Sequence, residues 1–316
     1  MTGELELLTV GRISVDLYAE QSGVGLAEVR SFAKSVGGSP TNVAVAAARL
    51  GRRSAVFTAV GDDEFGGYAC GALAGFGVDT RFVGVHPTLR TPLAFAALDP
   101  PEEPRLLFYR EPAAPDMQIR ADDVEAELVR EVPILWLTAS AFAREPSRAT
   151  AVWLLEQRGR RRHTIIDLDY RRVFWESEQE ARRTIAAQVG LATAAVGNRT
   201  ECEIAVGTDD PEAAADALLS HGLELAVVKL GGEGVLVATP GRRTLVPPRP
   251  VEVACGLGAG DAFGGALCHG LLSDWPPGRA VEFASAAGAI VASRLLCADA
   301  MPAEHEVLKL VQESRA

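Results

Sequence analysis

The chain has 316 residues, 48% of them hydrophobic and 23% charged, the profile of a globular protein slightly longer than one compact core usually grows. Lys and Arg total 31 against 42 Asp and Glu, a net charge of −11, and the one dense basic cluster, RGRRRH at 158–163, reads as a solvated helix end leading into a strand, which argues against a nucleic-acid partner. Five widely spaced cysteines, Cys70, Cys202, Cys255, Cys268 and Cys297, contain no C-x-x-C pair, so neither a disulfide framework nor a zinc site is indicated and a reducing cytosol fits.

In chain order, the N-terminal stretch MTGELELLTVGRISVDLYAE carries Glu4, Glu6, Arg12 and Asp16, leaving no apolar run of signal-peptide or membrane length; a cytoplasmic protein with no membrane partner is expected. ELLTVG reads as a strand, TNVAVAAARLG as a helix, SAVFTAV as a strand and GYACGALAGFG as a helix closed by Gly77. PILWLTA, HTIIDLD, AAVG and ELAVVKLG follow as core strands separated by helical segments. This rhythm predicts an α/β fold of three layers, with a mostly parallel central sheet between two layers of helices. Residues 12–35 and about 80–112 break the rhythm, with turn residues and no crossover helix, and are expected to build a small β-lid over the main sheet. From about residue 259 onward the pattern is helical.

Ligands of open α/β sheets sit at the carboxyl ends of strands, so the strand-to-helix junctions GRISVD (11–16), GGSPTN (37–42), VGNRTE (196–201) and KLGGEG (229–234) are candidate sites. The chain has no G-x-x-x-x-G-K-[ST] loop, and no G-x-G-x-x-G follows a strand. A nicotinamide-dependent oxidoreductase therefore lacks its usual marker. The most informative stretch is GLGAGDAFGGAL (256–267), in which Gly256, Gly258 and Gly260 precede one carboxylate, Asp261, at a predicted helix start. Unpaired amides at a helix N-terminus welcome a phosphate, and a neighbouring acid can take a proton. Taken alone, the same Asp could simply complement the helix dipole.

The ordered set of these motifs resembles the ribokinase-like (PfkB) carbohydrate kinases along essentially the whole chain, VGGSPTNVAVAAARLG looking like the first family signature and GLGAGDAFGGAL like the second. The resemblance implies a single kinase domain over 1–316 with the ribokinase-like fold, and a homodimer through the lid. It implies Asp261 as general base, with the amides of Gly258, Ala259, Gly260 and Asp261 as anion hole. Asp16, Gly38 and Asn42 would bind the substrate. Asn198 and Glu201 would orient Mg²⁺ through water, and Lys229, Gly231 and Gly234 would lie along ATP. Within the family, FAKSVGGSPTNVAVA, FYRE at 108–111, AREPSRA at 143–149 and DLDYRRVFW at 167–175 resemble the 5-dehydro-2-deoxygluconokinases of inositol catabolism, with the 2-keto-3-deoxygluconokinases sharing part of the pattern. That branch implies a sugar-acid substrate, whose carboxylate Arg110 and Arg171 would grip bidentately. Either arginine could instead pair with Glu111, Asp167 or Asp169. In place of the Asp-Thr-x that precedes G-A-G-D in many relatives stand Cys255, Gly256 and Leu257, without side-chain oxygens for a hard cation, which puts activation by a monovalent ion in doubt. A catalytically silent sensor of sugar acid or nucleotide is the competing reading, and it gives Asp261 no task.

Overall fold

A computed structural model describes residues 4–313 apart from 22 and 103. The first segment runs from strand β1 (Leu7–Val10) through β2 (Ser14–Ala19) and β3 (Phe32–Gly37) into helix α1 (Ser39–Arg49). Next come β4 (Ser54–Gly61), α2 (Glu64–Gly75), β5 (Val83–His86), β6 (Leu93–Ala97) and β7 (Arg105–Tyr109). The middle alternates strictly: α3 (Ala126–Glu131), β8 (Ile134–Thr138), α4 (Ser147–Arg158), β9 (Thr164–Asp167), α5 (Glu178–Val189), β10 (Ala194–Asn198) and α6 (Arg199–Val206). It continues through α7 (Pro211–Ser220) to the antiparallel run β11 (Leu225–Lys229), β12 (Val235–Thr239) and β13 (Arg242–Val246). Three helices follow: α8 (Ala259–Leu272), α9 (Pro277–Ala292) and α10 (Glu304–Glu313).

The main sheet has nine strands in the order β13-β12-β11-β10-β9-β8-β1-β4-β5, parallel from β11 to β5. Its central strands are apolar on both faces. Leu7, Val56, Trp136, Ile165 and Val227 join a core with α1, α8 and α9, whereas Leu8, Phe57, Leu137, Ile166 and Val228 join a second core with α4, α5, α6 and α7. A strand buried on two sides must be hydrophobic at successive positions, which is why ILWLT and SAVFTAVG show no polar alternation. Polar caps fix the helix starts: Asp63, Ser177, Asn198 and Asp210 each accept from a backbone amide of the turn they begin.

A separate four-stranded sheet, β3-β2-β6-β7, stands apart from the nine. Its members come from the two segments expected to form a lid, with one correction. Within 80–112, Val83–His86 pairs in parallel with β4 and extends the main sheet, so only Leu93–Ala97 and Arg105–Tyr109 belong to the small one. The parallel pairing follows from α2, which supplies the crossover needed to bring β5 alongside β4. Among the described residues, no helix is long and apolar enough to cross a membrane.

Candidate active site

The chain starts at β1, builds outward to β4 and β5, then returns to β8 on the other side, so the strand order reverses between β1 and β8. Crevices open at such reversals. Arg12 leaves the end of β1; Asp167, Asp169 and Arg171 leave the end of β9; Asn198 and Lys229 end β10 and β11. The start of α8 faces them from the glycine-rich loop.

That loop depends on Gly258, which caps α8 at φ +80, in the left-handed region, where a Cβ would stand 2.6 Å from Cys297 Sγ. No side chain caps this helix, and its first internal bond runs from Ala262 N to Gly258 O, so the amides of Ala259, Gly260 and Asp261 are left to an external acceptor. The Asp261 carboxylate is held by α1: Ser39 Oγ donates to Oδ1 at 2.8 Å and Asn42 Nδ2 to Oδ2 at 2.8 Å. Burial lifts the Asp261 pKa above the ordinary carboxylate value, against the opposing pull of the Asn42 and Ser39 bonds. Gly38, at φ +102, lets α1 begin so close to the β1–β2 turn that a Cβ there would collide with the Arg12 carbonyl.

On one side of Asp261 lies a cavity of about 40 Å³ lined by Arg12, Asp16, Asn42, Arg171, Gly258 and residues of the small sheet, among them Tyr18, Leu106 and Phe108. This is little more than the space of one water. Asp16 accepts from Ser14 Oγ at 2.7 Å and Tyr18 Oη at 3.3 Å, and its burial raises its pKa more than these bonds lower it. On the other side a cavity of about 460 Å³ is lined by Asp167, Asp169, Asn198, Glu201, Lys229 and Asp261. It adjoins an apolar cleft of about 540 Å³ that shares Lys229, Gly231 and Gly260 with it and adds Gly234, Phe263 and Ala292.

The charges at this junction are interlocked. Asp169 accepts from Arg12 Nη2 at 2.8 Å and from Arg171 Nε at 3.1 Å. Burial would raise its pKa, but the two guanidiniums outweigh that and hold it down. Asp167 has no such partners; burial pushes its pKa well up, and Lys229 only partly offsets this. Lys229 keeps its proton despite burial because Glu201, 3.7 Å away, and the neighbouring aspartates favour the ammonium. Asn198 and Glu201 form a capping box on α6, with Asn198 Oδ1 accepting from Glu201 N at 2.9 Å and Glu201 Oε2 from Asn198 N at 2.6 Å.

An uncapped helix start, a fixed carboxylate and two facing cavities suit phosphoryl transfer to a hydroxyl, and comparison with known proteins agrees. The sequence profile described as pfkB family carbohydrate kinase matches residues 4–304. The chain belongs to the pfkB family of carbohydrate kinases. A curated relative named 5-dehydro-2-deoxygluconokinase, from Geobacillus kaustophilus, is 31% identical over 98% of this chain and 95% of its own length. Another of that name, from Shouchella clausii, is 32% identical over 98% of this chain and 96% of its own. Among solved structures, a fructokinase from Vibrio cholerae O395 with fructose, ADP and calcium ion bound is 28% identical with TM-score 0.85, covering 97% of this chain and 99% of that one. A fructokinase from Xylella fastidiosa with bound ATP is 25% identical with TM-score 0.86, covering 98% and 99%.

In this pfkB kinase the site residues singled out in the sequence mostly converge. Asp16, Gly38, Asn42, Arg171, Gly258 and Asp261 line one cavity; Asn198, Glu201, Lys229, Gly231 and Gly260 line its neighbours. Arg110 stands apart. It pairs with none of Glu111, Asp167 or Asp169; it makes a two-pronged bond to Asp116, lies 5.1 Å from the Phe174 ring centroid, and lines a different cavity of about 520 Å³. Arg171 does meet Asp169, one of its expected alternatives, while still lining the smaller cavity beside Asp261. The sequence gives no role to Arg12 and Ser39, which lie inside the junctions GRISVD and GGSPTN, and only an alternative ion-pairing role to Asp167 and Asp169 in DLDYRRVFW. Their signal was the junction itself; what hid them was that their partners lie far off in the chain.

Proposed function

We propose that this kinase transfers the γ-phosphoryl group of ATP to the terminal hydroxyl of a sugar acid, 5-dehydro-2-deoxygluconate being the best-supported acceptor. The observation that carries the chemistry is the Asp261 carboxylate, fixed by Ser39 and Asn42 beside open helix amides and between two cavities. The acceptor hydroxyl sits in the smaller cavity against Asp261, steadied by Asp16 and Asn42. As its oxygen bonds to the γ-phosphorus, the bond to the ADP oxygen breaks and Asp261 takes the hydroxyl proton. A carboxylate lifted by burial holds that proton better than an exposed one. The amides of Ala259, Gly260 and Asp261 meet the charge on the transferring group, and their N–H dipoles need no reorganisation to do so. Lys229, protonated and shared by both larger cavities, lies along the phosphates, while Gly231 and Gly234 leave the apolar cleft open for the base and ribose.

The hard oxygen donors of Asn198, Glu201 and Asp167 fit Mg²⁺ better than a softer metal. Glu201 is occupied by its capping box and Lys229, so these residues suit a hydrated ion held largely by nucleotide oxygens. Bound there, the ion neutralises phosphate charge. The choice of acceptor rests on the two relatives named for it, at 31% and 32% identity over nearly the whole chain. An ADP-release assay over 5-dehydro-2-deoxygluconate, 2-keto-3-deoxygluconate, ribose and fructose tests both parts. The highest kcat/KM should fall on the first compound. A neutral sugar in first place would overturn the sugar-acid reading, and no ADP release with any acceptor would favour a silent sensor.

A further inference from the structure

The acceptor cavity joins two carboxylates, Asp16 and Asp261, to two cations, Arg12 and Arg171. An anionic acceptor entering a protein of net charge −11 needs a local cation that lines the cavity it enters. Arg110 fails this condition: it lines a different cavity, although its buried Nε–H, like that of Arg12, finds no acceptor among the described residues. Its Nη2 donates to Asp116 Oδ1 at 2.6 Å and its Nη1 to Asp116 Oδ2 at 3.1 Å, which uses the guanidinium's fork on one buried carboxylate.

Arg12 meets it. Its side chain is 11% exposed, its Nη2 is anchored on Asp169 Oδ2, and its guanidinium carbon lies 5.4 Å from the centroid of the Phe174 ring. Its buried Nε–H finds no acceptor among the described residues. Leaving such a donor unmatched is costly, and a ligand oxygen would recover that cost. The same Asp169 holds Arg171 through its other oxygen, so one carboxylate sets two guanidiniums at one cavity.

We infer that Arg12 is the specificity-determining residue for the acceptor's carboxylate, with Arg171 as its exposed companion and Asp169 as the positioning residue that aims both. This rests on the sugar-acid reading above and assigns the group that enforces it. A neutral sugar can offer the buried Arg12 Nε–H an oxygen but brings no negative charge to the two guanidiniums, so the site discriminates by the charge the wrong acceptor fails to supply.

The test compares 5-dehydro-2-deoxygluconate with its neutral primary amide and reads the ratio of the two kcat/KM values in each enzyme. Arg12→Met should lower the acid-to-amide ratio on the order of 10²-fold, the range for losing a buried charged contact. Arg12→Lys keeps a cation without the planar fork and guards against a Met variant that misfolds; its ratio should fall about 10-fold. Asp169→Asn should reduce the ratio mainly through KM for the acid, whereas Arg110→Gln, although it destabilises the fold by unpairing Asp116, should leave the ratio in the folded enzyme within about 2-fold of wild type. An unchanged ratio in both Arg12 variants overturns the assignment, as does a collapse confined to Arg110→Gln. If wild type itself prefers fructose to the acid, the sugar-acid reading falls first and takes this inference with it, an outcome readable before any variant is made.

Discussion

Asn42 Nδ2 and Asp261 Oδ2 are 2.8 Å apart, a bond that joins two helices separated by more than two hundred residues of chain and leaves the carboxylate one fixed orientation. Asp261→Asn preserves shape but removes the proton acceptor. Turnover should drop on the order of 10²–10⁴-fold with nucleotide binding retained. Single-turnover phosphoryl transfer under saturating ATP checks it; near-normal rates in a folded variant would remove Asp261 from the proton transfer.

Gly258→Ala attacks the loop that presents this carboxylate. The new methyl must occupy the left-handed region at φ +80 and lie 2.6 Å from Cys297 Sγ, a distance real carbon atoms do not tolerate. Strain and overpacking together should cost about 2–4 kcal/mol of stability. Urea unfolding measures this, and a change below about 0.5 kcal/mol, the scale of a neutral surface substitution, would mean the loop can rearrange freely.

Much of this architecture was legible in the sequence because its strands are buried on both faces and its helices begin with readable caps. ILWLT and LAVVK leave no doubt of strand identity once helical segments separate them, and GLGAGD announces its own backbone. Val83–His86 was harder: VGVH is short and exposed at two of its four positions, so nothing in its pattern separates an edge strand of the main sheet from a strand of the small one. Charge pairing was harder still. Arg110 and Arg171 were equally plausible grips for a carboxylate, and their fates depend on Asp116 and Asp169, whose placement is a product of the fold. Arg12 escaped because a single arginine after a strand looks like ordinary surface charge until the cavity closes around it.

The two aspartates of DLDYRR should pull stability in opposite pH directions. Asp169, whose pKa is lowered by Arg12 and Arg171 despite burial, contributes stability that is present above its unfolded value and lost as pH falls through its depressed one. Asp167, raised by burial, contributes stability that is complete below its unfolded value and lost as pH rises through its elevated one. Asp167→Asn should thus flatten the decline of the melting temperature between about pH 4 and about pH 8, the span from the ordinary carboxylate value to its raised one, while leaving the acid side steep. Parallel wild-type and variant curves across that span would show that Asp167 ionises there without cost.

Activity should respond little to potassium. The Cys255 thiol is buried, and the amides of Cys255 and Gly256 are bonded to the carbonyls of Ala292 and Pro101, so the loop offers no carboxylate or hydroxyl to a monovalent ion. Replacing a bulky organic cation with potassium should alter kcat/KM by less than about 2-fold, well under the several-fold effect of a bound charge in a site of low polarity. Steep activation would show that backbone carbonyls suffice.

The Arg110–Asp116 pair makes the most demanding stability prediction. Its side chains are 7% and 1% exposed, and Asp116 Oδ2 also accepts from Ile13 N at 2.9 Å, so one carboxylate ties the end of β7 to the turn between β1 and β2. Asp116→Asn leaves a buried guanidinium without its counter-charge and should destabilise by about 3–5 kcal/mol. Arg110→Met leaves the carboxylate unpaired instead and should cost a similar amount. The double variant Arg110→Met/Asp116→Asn should cost about 3 kcal/mol less than the two single losses summed, because no uncompensated charge remains and the Asn oxygen can still accept from Ile13 N. Urea unfolding of all four proteins closes the cycle, with a coupling energy on the order of 3 kcal/mol at the upper end for contacting residues. Additive losses would mean that each group has another partner when the first is removed, and the pair would then no longer explain why Arg110 is withdrawn from the acceptor cavity.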